Sequence, residues 1–356
     1  MNDMNLTKAI DDCAPESVGA SKVCIIEAVN MALHRAMAES EEVVVLGEDV
    51  AVNGGVFRAT EGLREAFGVR RVMDTPLAET MIAGMTIGMA AQGLRPVAEI
   101  QFMGFIYAAM EHLVSHASRM RNRTRGRLSC PMVIRAPYGG GIHAPEHHSE
   151  STEAMFAHIP GIRVIQPSSP KRAYGLLLSA IRSNDPVIFL EPKRIYRLFH
   201  SEVKDDGEGL PLDKSFLLRQ GRDMTLVSWG ASINETMQAA SLLARDGIEC
   251  EVIDVASISP IDHDTIIQSV QKTGRCIVIH EAPRSCGLGA EIAATLSERA
   301  FPYLREPVAR ITGYDTVMPY FRNESNYLPG VEQITELAAV MCRAATPVDA
   351  DGNKEA

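Results

Sequence analysis

The sequence predicts an α/β protein made of two sheet-containing domains in series. Three observations carry this. Short apolar runs alternate with helix-length stretches over 22–200. The same alternation restarts at 223 and continues to 346. Between them lies a polar, acidic stretch that begins Ser201-Glu-Val-Lys-Asp-Asp-Gly-Glu-Gly209, read as a linker over 201–222. Strand, helix, strand at this spacing marks a parallel sheet covered by helices. A chain of 356 residues, 46% hydrophobic, can build two such cores.

The elements follow in order. Residues 1–21 are acidic and polar and read as a loose tail. Residues 22–39 show helical spacing through Val23, Ile26, Val29, Leu33 and Met37. Val43–Leu46 suits a buried parallel strand, ended by Gly47-Glu48-Asp49. Asn53-Gly54-Gly55 is turn chemistry. Asp74-Thr-Pro-Leu-Ala-Glu79 opens a helix over 79–93, with Pro76 suited to the first turn. That helix is apolar almost all round and is expected to be buried, so Glu79 needs a partner or a proton. Further strands are expected at Pro96–Phe102, Met132–Arg135, Val164–Gln166 and Val187–Leu190, separated by helices over 105–120 and 170–182. The second domain, 223–346, offers strands at Met224–Ser228, Glu249–Asp254, Cys276–His280 and Pro307–Thr312. Helices near 231–245, 262–272, 287–300 and 331–345 complete it, and 347–356 read as a disordered tail.

Composition narrows the function classes. The net charge is −10 and no basic block occurs, so nucleic acid is not an expected partner. No run of 18 apolar residues predicts a membrane span. The N-terminus lacks the charged-then-apolar pattern of a secretion signal, and the seven Cys form no CxxC pair. Reduced thiols in a cytoplasm are the expectation.

Ligands of open parallel sheets gather at the carboxyl ends of strands. Glu48 and Gln101 stand at such ends. So does a long loop after Met132–Arg135, with Gly139-Gly-Gly141 followed by His143, Glu146, His147, His148 and Glu150. Three readings of that loop stay open: a zinc site on its imidazoles, a solvated acidic loop, or a catalytic loop supplying an imidazole. Gly84-xxx-Gly88 suggests close packing by another helix, in this chain or between subunits. Gly287-Leu-Gly289 is half a dinucleotide fingerprint and reads as a helix start.

A set of motifs in order carries a resemblance. It runs through Gly47-Glu-Asp-Val50, Gly54-Gly-Val-Phe-Arg58, Asp74–Glu79, Glu99-Ile-Gln-Phe102, Gly139-Gly-Gly141, His148-Ser149, Pro160-Gly161 and Asp185–Pro192. It continues through His280-Glu-Ala-Pro-Arg284 and Asp315-Thr316. From about residue 22 to 346 the chain resembles the beta subunit of the thiamine-diphosphate-dependent decarboxylating component of 2-oxo acid dehydrogenase complexes. Pyruvate and branched-chain enzymes are members of that family.

The resemblance implies a transketolase-like fold, with a pyrimidine-binding domain over 22–200 and a smaller α/β C-terminal domain over 223–346. It implies that Glu79 hydrogen-bonds the aminopyrimidine of thiamine diphosphate and favours its imino form. Leu77, Gln101 and Phe105 match positions lining the pyrimidine pocket. His148 matches a histidine at the active-site mouth, where it serves acyl transfer to a lipoyl group. Glu48 matches an acidic residue proposed in the family to relay protons between two sites. Ala180–Asp185 matches a loop that holds a monovalent cation (K+) in some members, which makes Ala180, Ser183 and Asp185 the candidates, although the side chains differ here. The implied partners are an alpha subunit in a heterotetramer of two alpha and two beta chains, and a lipoyl-bearing acyltransferase core.

The family pattern places Mg2+ on a Gly-Asp-Gly motif, which this sequence does not contain. The expectation is therefore that the alpha subunit holds Mg2+ and the diphosphate. Rival readings are an acetoin dehydrogenase beta subunit, a single-chain transketolase-like enzyme, and a non-catalytic docking subunit. Pyruvate stands slightly ahead of a branched-chain 2-oxo acid as substrate.

Overall fold

The computed structural model describes residues 20–343, so the two expected tails fall almost wholly outside the described residues. The N-terminal half begins with β1 (Ala20–Val23) and α1 (Ile25–Glu39). Helix α1 starts three residues later than the hydrophobic spacing suggests. Cys24 and Glu27 form a reciprocal capping box there, satisfying N–H groups that the first turn leaves without partners. Next come β2 (Val43–Gly47), β3 (Val72–Asp74), α2 (Glu79–Ala91) and β4 (Arg95–Glu99). Then follow β5 (Val133–Tyr138), β6 (Arg163–Ile165), α3 (Pro170–Arg182) and β7 (Val187–Pro192). Helix α3 shows its start in the sequence: Ser169 accepts from the Arg172 N–H at 3.4 Å, and Pro170 fills the first turn.

The stretch read as a linker carries two strands, β8 (Ser201–Lys204) and β9 (Phe216–Arg219). Strand β8 pairs antiparallel with β1, burying Ser201 and Val203 and exposing Glu202 and Lys204. That alternation is a half-buried strand written in polar residues. The C-terminal half continues with β10 (Met224–Ser228), α4 (Ser232–Arg245), β11 (Cys250–Asp254), β12 (Ser257–Ser259) and α5 (His263–Thr273). It ends with β13 (Cys276–Pro283), α6 (Leu288–Arg299), β14 (Ala309–Gly313), α7 (Phe321–Tyr327) and α8 (Val331–Arg343).

Seven strands form the first sheet in the order β12-β6-β7-β5-β4-β2-β3, parallel except for the β12 edge. Five form the second, in the order β14-β13-β10-β11-β9, parallel except for β9. Strand β12 thus leaves the C-terminal half to finish the first sheet. One apolar core runs between the halves, joining Ile188 and Leu190 to Trp229, Val255 and Ile258.

The helix expected over 105–120 is broken. Residues 103–109 wind as a 3₁₀ helix and 112–117 as a π-helix. Helix α2 is also less enclosed than its composition suggests. Ile82, Ala83, Thr86, Ile87 and Ala90 are buried, while Met81, Met85 and Gly88 face outward. A Cβ on Gly88 meets nothing within 4 Å, so no helix among the described residues packs there. Among the described residues, no helix is long and apolar enough to cross a membrane.

Candidate active site

The carboxyl ends of the central strands are held by one buried ion cluster. Arg135 on β5 is 1% exposed and lies between Glu99 on β4 and Glu191 on β7. Its guanidinium donates to Glu191 at 2.6 and 3.0 Å and to Glu99 at 2.8 Å. Tyr196 donates to Glu191 at 2.6 Å. Burial pushes the Glu99 carboxyl up, and Arg135 works against that rise. The loops that follow these strands carry the candidate residues.

Glu79 is the first residue of α2, where the helix dipole favours an anion. Thr75 and Pro76 stay outside the helix, contrary to the expectation. The Thr75 N–H is taken by Gly47 O at 2.9 Å, which extends the β2–β3 pairing, and a residue before Pro avoids helical backbone. Asp74 accepts the N–H groups of Ala51 at 2.7 Å and Val52 at 3.2 Å, fixing the neighbouring turn. Glu79 is half-buried rather than enclosed, and no donor among the described residues meets its carboxylate. Leu77, just before it, is 80% exposed.

Glu48 is buried beside Glu79. One of its oxygens is enclosed without a hydrogen-bond partner. Burial raises the Glu48 carboxyl above its usual range; the nearby charges of Glu79 and Asp49 raise it further, while the Ala78 N–H opposes. Two carboxyl groups at one site, one pushed toward the neutral form, can hold and pass a proton.

His148 meets two aromatic rings. Its ring lies edge-on to Phe102 at 4.6 Å and to Phe105 at 5.3 Å. Its Nδ1 is 3.3 Å from Pro145 O, a carbonyl that can only accept, so this contact puts the proton on Nδ1 and leaves Nε2 as the basic nitrogen. Gly104 makes the approach possible: a Cβ there comes within 2.3 Å of His147 O. Gln101, just after β4, and Phe105, in the 3₁₀ helix over 103–109, are both half-buried. Phe102 belongs to this group too.

The zinc reading of the loop fails. His143 contacts Glu324 at 2.5 Å, His147 lies 3.9 Å from Glu150, and His148 sits among aromatic rings. The three imidazoles do not group as metal ligands among the described residues.

The segment expected to hold a monovalent cation is tied by guanidinium groups. Arg95 donates to Ile181 O at 3.1 Å and Ser183 O at 3.0 Å. Ala180 O accepts from the Ser183 N–H at 3.2 Å, and Asp185 pairs with Arg121 at 2.7 Å. An ion at Ser183 O or Asp185 has to share those oxygens with a guanidinium of like charge, so these two donors do not suit K+.

Sequence reasoning missed a polar cluster under the glycines. Glu281, Lys193 and Glu324 are buried, and Arg194 is half-buried, against Gly139–His143. Burial pushes Lys193 down to about 8, and Glu281 and Glu324 oppose that fall.

Comparison with known proteins agrees with this layout. The transketolase pyrimidine-binding domain matches residues 21–198, and the transketolase C-terminal domain matches residues 213–334. The chain is 47% identical over 322 residues to the pyruvate dehydrogenase E1 component subunit beta of Acholeplasma laidlawii, covering 90% of this chain and 98% of that one. The protein of the same name from Bacillus subtilis is 46% identical over 318 residues, with 89% and 98% covered. A solved split-gene transketolase, described as an inactive beta4 tetramer, superposes with a TM-score of 0.72 at 21% identity, covering 91% of this chain and 99% of that one. A transketolase mutant from Pichia stipitis gives 0.67 at 14% identity, covering 97% and 49%. At those identities the structural likeness is one of fold.

Proposed function

Since this chain belongs to the family of pyruvate dehydrogenase E1 beta subunits, we propose that it binds the pyrimidine end of thiamine diphosphate in a pyruvate-decarboxylating enzyme completed by an alpha subunit. The observation that carries this is Glu79: a carboxylate at a helix start, half-open, with no donor from the described residues. That donor set suits an aminopyrimidine. Glu79 offers an acceptor for a ring N–H, Gln101 an amide, and Leu77 and Phe105 apolar walls. When bound, the cofactor supplies the electron sink that lets a 2-oxo acid lose carbon dioxide.

The remaining roles belong to this chain's own groups. Glu79 accepts the ring N–H at the pyrimidine edge. Glu48, buried beside it and pushed toward its neutral form, holds a proton next to that carboxylate. His148 presents Nε2 at the mouth, where it orients an incoming lipoyl disulfide on the acyltransferase core and, once Nε2 has taken up a proton, passes that proton to the sulfur released as the S–S bond opens. Mg2+ prefers octahedral oxygen ligands, commonly one or two carboxylates with phosphate oxygens. The absent Gly-Asp-Gly motif supports assigning Mg2+ and the diphosphate to the alpha subunit. The outward face of α2, with Met81, Met85 and Gly88, is our candidate for the contact between two beta chains in a tetramer of two alpha and two beta subunits.

The test is calorimetry and turnover. Purified chain with Mg2+ and thiamine diphosphate is expected to show neither micromolar binding nor decarboxylation. Adding the alpha subunit is expected to restore both, with pyruvate preferred over 3-methyl-2-oxobutanoate and acetoin. Turnover by this chain alone would overturn the two-subunit reading.

A further inference from the structure

The loop from Gly139 to Ser151 leaves the first sheet, yet the C-terminal half holds it. Its backbone is unusual. Gly139 and Gly141 have φ of 86° and 90°, and two residues with side chains, His143 at 61° and Glu146 at 51°, share that left-handed region. Such conformations persist only where the surroundings fix them.

Two buried carboxylates do the fixing. Glu324, on α7 and 2% exposed, accepts the N–H of Gly141 at 2.6 Å and of His143 at 3.0 Å. It also meets Nδ1 of His143 at 2.5 Å. Glu281, on β13 and 5% exposed, accepts the Gly140 N–H at 3.1 Å and the Ser151 hydroxyl at 2.7 Å. Both ends of the loop are therefore tied, since Ser151 closes what Gly140 opens. Lys193 donates to the carbonyl of Gly139, and Arg194 lies 4.0 Å from Glu281.

The glycines are spaces for these groups. A Cβ on Gly139 falls 2.2 Å from Glu281 Oε1, and one on Gly141 falls 2.0 Å from Arg194 Cδ. A Cβ on Gly140 meets Met318 at 2.5 Å. Successive backbone N–H groups form an anion cradle of the kind that elsewhere holds phosphate. Here the anions are the protein's own side chains. Downstream, Tyr320 donates to Glu146 at 3.3 Å and Phe321 packs edge-on to His143 at 5.2 Å. His148 follows this pinned stretch and meets Phe102 and Phe105 from it.

We propose that Glu281 and Glu324 are positioning residues that hold the 139–151 loop so that His148 is presented for acyl transfer. This rests on the reading of His148 given above. Neither carboxylate is hydrogen-bonded to His148; each acts through the backbone of the loop.

The test uses the enzyme assembled with its alpha subunit, Mg2+ and thiamine diphosphate. Glu324→Gln and Glu281→Gln keep the shape and remove the charge. Amide hydrogen exchange at Gly140, Gly141 and His143 is expected to speed up by ~10-fold or more, the factor that loss of a charge-assisted hydrogen bond carries. Acyl transfer to a lipoyl domain is expected to fall by a comparable ~10-fold, well beyond any fall in decarboxylation read with an artificial electron acceptor. Combined with His148→Ala, either variant is expected to be no slower in acyl transfer than His148→Ala alone. Unchanged exchange overturns the proposal, as does faster exchange with normal acyl transfer. Losses that multiply in the double variant overturn action through His148. If His148→Ala itself spares acyl transfer, the His148 reading fails, and exchange still decides whether the carboxylates hold the loop. Should one glutamine variant fail to assemble, the other decides.

Discussion

Replacing Arg135 with methionine tests the foundation of the site. Arg135→Met keeps a long apolar stem and deletes a charge that is 1% exposed. Glu99 and Glu191, at 4% and 0% side-chain exposure, then lose their cation. Breaking a buried pair from one side costs about 3–5 kcal/mol. An independent route gives a similar figure. If Glu99 takes up a proton instead, moving it from an ordinary 4.5 to neutral at about pH 7 costs about 3.4 kcal/mol at about 1.36 kcal/mol per unit. For a cooperative unit of this size, that loss lowers the melting temperature by ~6–20 °C.

The pH dependence has a definite sign. Without Arg135 the folded form holds a proton that the unfolded form releases, so the variant loses stability as pH rises. The deficit should be greatest near neutral pH and shrink toward about pH 5. Thermal melts of parent and variant across that range, in the assembled enzyme, measure it. Adding Glu99→Gln and Glu191→Gln should recover most of the loss, since no unpaired charge remains. A loss under ~1 kcal/mol, or one that does not vary with pH, refutes the reasoning.

Three further outcomes are expected. Glu79→Gln should lower overall activity by ~10²-fold or more while assembly survives, and near-normal turnover removes Glu79 from the mechanism. Glu48→Gln should raise the melting temperature at alkaline pH but not in acid. Burial and Glu79 hold the parent carboxyl above its ordinary range, so its contribution to stability falls as pH rises through that raised value. Melts at about pH 4 and about pH 8 that shift equally contradict this sign. Exchanging potassium for a bulky organic cation at equal ionic strength should move the melting temperature by less than ~2 °C, because Arg95 and Arg121 already neutralise the 180–185 segment.

The sheets and the place of Glu79 were legible because they rest on local pattern. Val43–Leu46 and Cys276–His280 are apolar runs of strand length, and Glu79 sits where a helix starts after a strand. The broken helix over 103–117 was not legible, because apolar spacing there fits turns of different tightness. Strand β8 was hidden by the charges of its exposed side. Strand β12 was hidden because its partner, β6, lies far back in the chain. Glu281 and Glu324 were least readable. Their partners are backbone N–H groups 141 and 183 residues away, and no side-chain motif records such a contact. The outward face of α2 misled for another reason: apolar composition reports that a surface seeks cover, not which molecule covers it.

That outward face also bears on how the protein is made. Leu77, Met81 and Met85 are 80%, 36% and 37% exposed on one short stretch of chain. A newly synthesised copy carries these exposed side chains into a crowded cell. Exposed apolar patches are where chains stick to one another or are captured by chaperones and proteases. On the pairing proposed above, a second copy of this chain is the cover, so pairing protects the yield. Copies that cannot pair should show themselves first as insoluble material, long before any loss of the fold.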